Sequence, residues 1–236
     1  MMQPIGVMRC DYQSRYETPR QPAFAGENEG VIELVPGFNL EQALVGLEGF
    51  SHIWVLFQFH KNPNAERPPV MIQPPRYTSG KVGVLATRSP HRPNPIGMSC
   101  LRLERIEGRR LFVRGFDLLD ETPVLDIKPY IPMLDSHPEA TTGWLQPAAL
   151  YDVRLSPEVQ AQSSEISEVY DVRLDRYANV QLKEFPLDIR RKRIEQVSEN
   201  EGILAFREWR IHYQVDEQQK TVTVHRLEKV ESASGS

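Results

Sequence analysis

Cysteine is close to absent. Cys10 and Cys100 are the only two in 236 residues. That excludes a disulfide framework and a cysteine-built metal site, and makes a reducing, cytoplasmic compartment the expectation. No stretch approaches the ~20 apolar residues of a membrane helix. The opening MMQPIGVMRC breaks its short apolar run with Pro4 and Arg9, unlike a secretory leader. The six histidines are scattered, no two at ligand spacing, so no metal is expected. There is no glycine-rich phosphate loop and no G-x-G-x-x-G after a strand, which argues against a doubly wound nucleotide fold. Nor is there an excess of positive charge: 28 Lys and Arg stand against 32 Asp and Glu, a net charge of −4. A generically basic nucleic-acid binder is excluded, and any RNA contact must come from local patches.

Proline and glycine are plentiful but unevenly placed. Residues 1–147 hold 17 of the 19 Pro and 12 of the 14 Gly. The expected organisation is therefore a turn-rich domain over residues 1–147 and a different domain over 148–230. A small polar tail, 231–236, is expected to be disordered. In the first part, short apolar runs predict about seven strands: Ile5 to Arg9, Val31 to Val35, Ile53 to Phe59, Val82 to Ala86, Ser99 to Ile106, Leu111 to Phe116 and Val124 to Lys128. One short helix is allowed at Leu40 to Val45. Closing such strands into a small β-barrel removes their exposed edges. The fold class expected is mainly β, a closed or nearly closed barrel followed by a smaller α+β domain. In the second part Ser156-Pro157-Glu158 has the chemistry of a helix start. Asn179 to Arg193 can be a helix that Pro186 kinks or ends. Leu204 to Val215 and Thr221 to Leu227 both alternate and predict a hairpin. Tyr151-Asp152-Val153-Arg154-Leu155 recurs as Tyr170-Asp171-Val172-Arg173-Leu174, and paired strands are the simplest expectation.

The stretch that organises the chain is VGVLATRSPHRPNPIGMSCLRL, Val82 to Leu103. It reads as a strand, then a loop in which Pro90, Pro93 and Pro95 each fix φ and push the preceding residue out of the α region. The loop holds Thr87, Arg88, Ser89, His91, Arg92 and Asn94 on a stiff backbone, which suits a binding site whose ordering cost is already met. A plain surface turn stiffened by proline fits as well.

The segment A-T-R-S-x-x-R-P-N-P-I-G-M-S resembles the TsaA-like proteins, also called the tRNA methyltransferase O family. Four further blocks agree with it in order: Pro19-Arg20-Gln21-Pro22, Leu47-Glu48-Gly49-Phe50-Ser51-His52-Ile53-Trp54, Phe59-His60, and Asp117 through Tyr130. Together they cover roughly residues 1 to 135. The resemblance implies a β-barrel methyltransferase that uses S-adenosylmethionine and acts on a modified adenosine beside the tRNA anticodon. It also implies a homodimer.

S-adenosylmethionine offers a sulfonium, a zwitterionic amino-acid end and an adenine, so its site needs an apolar wall, a few charges and free backbone amides. The resemblance puts Gln21, Pro22 and Ala23 along that site, with His60 and Lys61 after the strong apolar run and the turn Asp117-Leu118-Leu119-Asp120. Arg88 can clamp a carboxylate with two parallel hydrogen bonds. Arg92 can do the same or bind an RNA phosphate. Met98 and Leu101 suit an apolar wall or, equally, core packing. Asp126, Lys128 and Tyr130 share a face if their segment is a strand. Asp126 and Lys128 form either a solvated ion pair or a catalytic pair, with Asp120 as a second candidate base. His52, just before a strand, reads as structural. Arg190-Arg191-Lys192-Arg193 is the one dense basic run and suits RNA phosphates or a solvated helix face. The family's Asp-Pro-Arg-x-x-Tyr pattern is incomplete here: Leu187-Asp188-Ile189-Arg190 lacks the Pro and the Tyr. Two other functions fit the residues: a barrel that binds a nucleoside or RNA without chemistry, and a barrel methyltransferase acting on a small molecule.

Overall fold

The structure is a computed structural model. It describes the chain except for Met1 and residues 14–16, 20–21, 23–24, 26–27, 63–66, 74–79, 146–148, 190–192 and 231–236. The chain divides into two compact units, Met1–Gln146 and Pro147–Ser236.

The first unit is built on six antiparallel strands closed into a barrel. They are β1 (Gly6–Arg9), β2 (Glu29–Leu34), β3 (His52–Gln58), β6 (Ile96–Glu107), β7 (Arg110–Arg114) and β8 (Pro123–Pro129). The order around the barrel is β1-β2-β7-β6-β3-β8, closing through β1 and β8. Closure gives every strand two neighbours and leaves no edge. Alternation does the rest. Ile53, Val55 and Phe57 on β3 are buried, as are Leu101 and Leu103 on β6 and Leu111 and Val113 on β7. With Met8, Ile32, Phe116, Leu118 and Val124 they fill one core. The register puts the ends of β1, β3 and β7 beside the starts of β2, β6 and β8: Arg9 pairs with Val31, Gln58 with Ile96, and Arg114 with Glu29. Segments 10–28, 59–95 and 115–122 therefore all emerge at one end of the barrel. That end carries most of the family-like blocks.

Six of the seven expected strands are barrel strands. Val82 to Ala86 is the exception. Only Val82–Gly83 is extended (β5), in a two-residue ribbon with Met71–Ile72 (β4). Val84–Ala86 is a 3₁₀ turn, closed by the Thr87 amide and the Thr87 hydroxyl, both donating to the Val84 carbonyl. Among the described residues the run has no sheet neighbour beyond Gly83, and Leu85 is 76% exposed. The described residues of this unit also form two one-turn helices, α1 (Leu40–Ala43) and α2 (Pro132–Asp135), and a 3₁₀ turn at Leu47–Gly49.

The second unit is a five-stranded sheet under two helices. The strands are β9 (Asp152–Leu155), β10 (Ile194–Gln196), β11 (Glu201–Phe206), β12 (Trp209–Asp216) and β13 (Thr221–Lys229), in the order β10-β11-β12-β13-β9. Helices α3 (Pro157–Tyr170) and α4 (Leu174–Leu182) supply Val159, Ile166, Leu174, Tyr177 and Leu182 to its core. Ser156 caps α3, accepting from the Val159 amide. The helix expected over Asn179 to Arg193 is instead the last turn of α4. It stops at Leu182, before Pro186, whose carbonyl accepts from the buried Tyr213 hydroxyl. The Leu204 to Val215 alternation is two strands, not one. It is folded at Arg207-Glu208, where Arg207 takes φ 51° and Phe206 pairs with Trp209. The repeated pentapeptides do not pair. Tyr151 to Leu155 leads into and forms β9, whereas Tyr170 to Leu174 ends α3 and opens α4, with Asp171 left-handed between them. The tail 231–236 lies outside the described residues.

Candidate functional site

A groove of about 410 Å³ opens on the barrel wall, lined by Pro22, His52, Trp54, Arg88, Met98, Ser99, Cys100, Arg102, Arg114 and Gly115. Strand alternation builds its floor. On β3, Ile53 and Val55 point into the core, so His52 and Trp54 face out. On β6, Ser99 and Leu101 are buried, so Met98, Cys100 and Arg102 face out. Met98 is 54% exposed, a thioether displayed rather than packed.

Beneath the groove lies a half-buried carboxyl, that of Asp117. Ser99 Oγ donates to Asp117 Oδ1 at 2.6 Å. Burial pushes the Asp117 carboxyl up to about 6, against the pull of Ser99, its own amide and the Arg88 charge. An anion kept out of water beside a cation is a ready partner for a ligand that brings its own positive group. Arg88 stands on the stiff loop the prolines predict. Thr87 Oγ1 accepts from the Ser89 amide, and Ser89 Oγ from the His91 amide. His91 Nδ1 meets Asn62 Oδ1 at 2.8 Å, Asn62 Nδ2 donates to the Pro90 carbonyl, and Trp144 Nε1 donates to the Ala86 carbonyl.

The sequence-predicted residues fall into three groups. Pro22, Arg88 and Met98 meet at the groove, with Asp117 under it. A second group gathers where β1, β3 and the turn before β8 come together. There Asp120 Oδ1 accepts from the Cys10 amide, Asp120 Oδ2 from Gln13 Nε2, and Lys61 Nζ donates to the Gln13 carbonyl at 2.7 Å. His60 belongs here. Burial and the Lys61 charge lower its pKa, and its Nε2 is buried with no hydrogen-bond partner among the described residues. Asp120 is thus part of the frame of this end, not of the Asp126–Lys128 pair. The third group lies on the outside of β8, where Lys128 Nζ is 2.8 Å from Asp126 Oδ2 and both side chains are well exposed. Tyr130 follows, its ring 5.7 Å from Trp54 and 6.3 Å from His52.

Several expectations are corrected. Leu101, a candidate wall, is fully buried in the barrel core, and Leu118 is 1% exposed there. Leu119 packs against the same core. Strand alternation turns Leu101 inward, and Leu118 points into the same core from the segment between β7 and β8. Arg92 is half-buried and donates to the Thr87 carbonyl at 3.3 Å, bracing the loop it sits in. Arg193 donates to the Tyr177 hydroxyl inside the second unit instead of extending into solvent. Gln21, Ala23, Arg190, Arg191 and Lys192 lie outside the described residues. Sequence reasoning missed Trp54, Ser99, Cys100, Arg102 and Arg114, and His52 lines the groove rather than only capping a strand. The available signal was period two: once Ile53 and Val55 are inside, Trp54 must be outside.

The site residues suit S-adenosylmethionine. Asp117 and Arg88 match the amino and carboxylate ends, and Met98 with Pro22 gives an apolar wall.

Comparison with known proteins follows the same lines. A family model described as the tRNA-methyltransferase O N-terminal domain matches residues 7–136. The RcsF protein of Pseudomonas aeruginosa is 47% identical over 141 residues, which is 59% of this chain and 61% of that protein. A tRNA (adenine(37)-N6)-methyltransferase of Escherichia coli is 41% identical over 165 residues, 67% of this chain and 70% of that one. The crystal structure of TrmO from Pseudomonas aeruginosa superposes with a TM-score of 0.68 at 31% identity, covering 97% of this chain and 96% of the other. This chain spans about 60% of the length of RcsF.

Proposed function

The chain belongs to the tRNA-methyltransferase O family, and on that premise we propose that it transfers a methyl group from S-adenosylmethionine to N6 of adenosine 37 of tRNA. The observation that carries the reading is the meeting, at one groove, of the Arg88 cation and the Asp117 carboxyl with the displayed thioether of Met98. The relatives support the chemistry: one is named as an S-adenosylmethionine-dependent methyltransferase, another as a tRNA (adenine(37)-N6)-methyltransferase.

Arg88 would hold the carboxylate of the cofactor and Asp117 its ammonium, with Pro22 and Met98 as wall; His60 and Lys61 stand at the adjoining barrel end. When bound, the cofactor supplies an electrophilic methyl on sulfur. The protein's own work is to hold the acceptor nitrogen in line, exclude water and take a proton. Methylation of N6 would release the N6 proton, and a carboxylate of this chain would take it. Asp126 is the base in this reading, with Lys128 steadying its charge. The acceptor is adenosine that already carries a threonylcarbamoyl group. Carbamoylation makes the remaining N6–H more acidic, and the threonyl carboxylate offers an anion for Lys128. A cation left unpaired by unmodified tRNA is how a polar site rejects it. The second unit, through Arg190, Arg191 and Lys192, holds the RNA. The working form is a cytoplasmic homodimer.

The test is methyl transfer from labelled S-adenosylmethionine to tRNA from normal cells and from cells unable to install threonylcarbamoyl. Incorporation into the first alone is expected. Equal incorporation points to a plain adenine methyltransferase, and none to a binding module.

A further inference from the structure

The outer face of β3 presents an indole that neither the core nor the cofactor-binding charges use. Trp54 faces away from the barrel interior and borders the groove. Its orientation is fixed from one side. Asp135 Oδ2 accepts from Trp54 Nε1 at 3.1 Å and from the Ile131 amide at 2.8 Å, so the first turn of α2 pins the indole edge. Tyr130 packs against the ring at 5.7 Å between centroids and 60° between planes. Both braces belong to the segment that leaves β8. On β6, Cys100 is the direct partner of Trp54 in the sheet. On the other flank its partner is Lys128, next to Asp126. Directly paired residues on one face of a sheet stand about 5 Å apart at Cβ. The indole therefore lies between the exposed Asp126–Lys128 pair and the cavity that holds Arg88.

We propose that Trp54, oriented by Asp135, is the surface on which the acceptor adenine of the tRNA stacks. The inference rests on the tRNA-methyltransferase reading and adds the residue that receives the base. A base lifted from a single-stranded loop exposes its π-face, and an aromatic side chain held by a hydrogen bond at its polar edge meets that face without further ordering. Stacking tolerates the N6 substituent, whereas a hydrogen-bonded pocket around N6 would not. The adenine of the cofactor shares this chemistry, so the experiment must separate the two sources.

Two measurements do so on the full-length protein. The first is quenching of indole fluorescence by an anticodon stem-loop RNA carrying threonylcarbamoyladenosine. Quenching is expected in the wild type and not in Trp54→Phe, which keeps a ring, binds the RNA within a few-fold and retains the fold. The same quench in both proteins overturns the proposal. The second compares Trp54→Phe with Trp54→Leu in affinity for that RNA and, separately, for S-adenosylmethionine. Leucine should weaken RNA binding about tenfold to a hundredfold, the range for one lost base stack, with cofactor affinity unchanged. Weakened cofactor binding, with or without an RNA effect, overturns the proposal and puts the ring under the cofactor's adenine. A wild-type chain that does not bind this RNA overturns the tRNA reading along with it. A wild type that binds and methylates while both variants match it overturns this inference alone.

Discussion

Ser99 Oγ donates to Asp117 Oδ1 at 2.6 Å under the groove that Arg88 borders, a bond that favours the carboxylate against the burial that disfavours it. Its pKa, about 6 when folded against the ordinary aspartate value of 3.8, sets a pH dependence. Between those values the folded chain holds a proton that the unfolded chain has released. Stability from this group is therefore full below about pH 4 and falls as pH rises to about 6. A shift of this size is worth about 2–3 kcal/mol. Asp117→Asn keeps the shape without the charge. Relative to wild type it should gain that amount between pH 4 and pH 7, by denaturant unfolding. A pH-independent difference between the two would refute the assignment. S-adenosylmethionine affinity should move the other way in the wild type, weakening as pH drops below about 6, with a flatter profile in the variant.

Arg88→Ala should weaken S-adenosylmethionine binding and leave the fold intact. Arg88 lies in a polar loop that is stitched by Asn62, Thr87 and Ser89, so little packing depends on it. A lost charge-assisted contact is worth about 1.5–3 kcal/mol, roughly tenfold to more than a hundredfold in affinity. Titration calorimetry decides it, and an unchanged dissociation constant removes Arg88 from the site.

Gly97→Ala should destabilise the barrel. Gly97 pairs with Phe57 in the β3–β6 ladder, and a Cβ added there would run into the Phe57 ring. The ring cannot yield freely, because Phe59 packs edge-on against it at 5.2 Å. Overpacking of this kind costs about 1–3 kcal/mol. Phe57→Leu in the alanine background should recover part of the loss. Purely additive effects in that double-mutant cycle would show that the two positions do not clash.

The barrel was legible in the sequence because its strands obey one rule. Ile53, Val55 and Phe57, then Leu101 and Leu103, then Leu111 and Val113 put an apolar residue inward at every second place, and closure asks nothing more. Val82 to Ala86 misled because composition alone cannot show that a strand lacks a neighbour. Gly83 is its last paired residue, and the Thr87 side chain competes for the Val84 carbonyl. For the site, Arg88 and Asp117 were readable from the motifs. Trp54 was not, since in an unbroken apolar run both faces look alike until the fold says which one is inside. Leu101 failed for the same reason in reverse.

The two copies of Tyr-Asp-Val-Arg-Leu allow a last experiment in which one substitution is made twice. Asp152 lies in β9, its amide donating to the Lys220 carbonyl and its carboxylate pairing with Arg154 at 2.7 Å on an exposed face. Asp171 ends α3 with φ 52° and ψ 43°, its amide donating to the Ser167 carbonyl at 3.1 Å. Glycine has opposite consequences in these two settings. At residue 171 it removes the steric cost of a left-handed Cβ, roughly 0.5–1 kcal/mol, and glycine is the favoured residue just past a helix. At residue 152 it adds backbone freedom to an unfolded strand residue and deletes an exposed ion pair, costing about 0.5–1 kcal/mol. Asp171→Gly should therefore raise the denaturation midpoint of the second unit's transition, and Asp152→Gly should lower it. Two shifts of the same sign would mean that the pentapeptide's local sequence, and not the backbone state imposed on each copy, governs its stability.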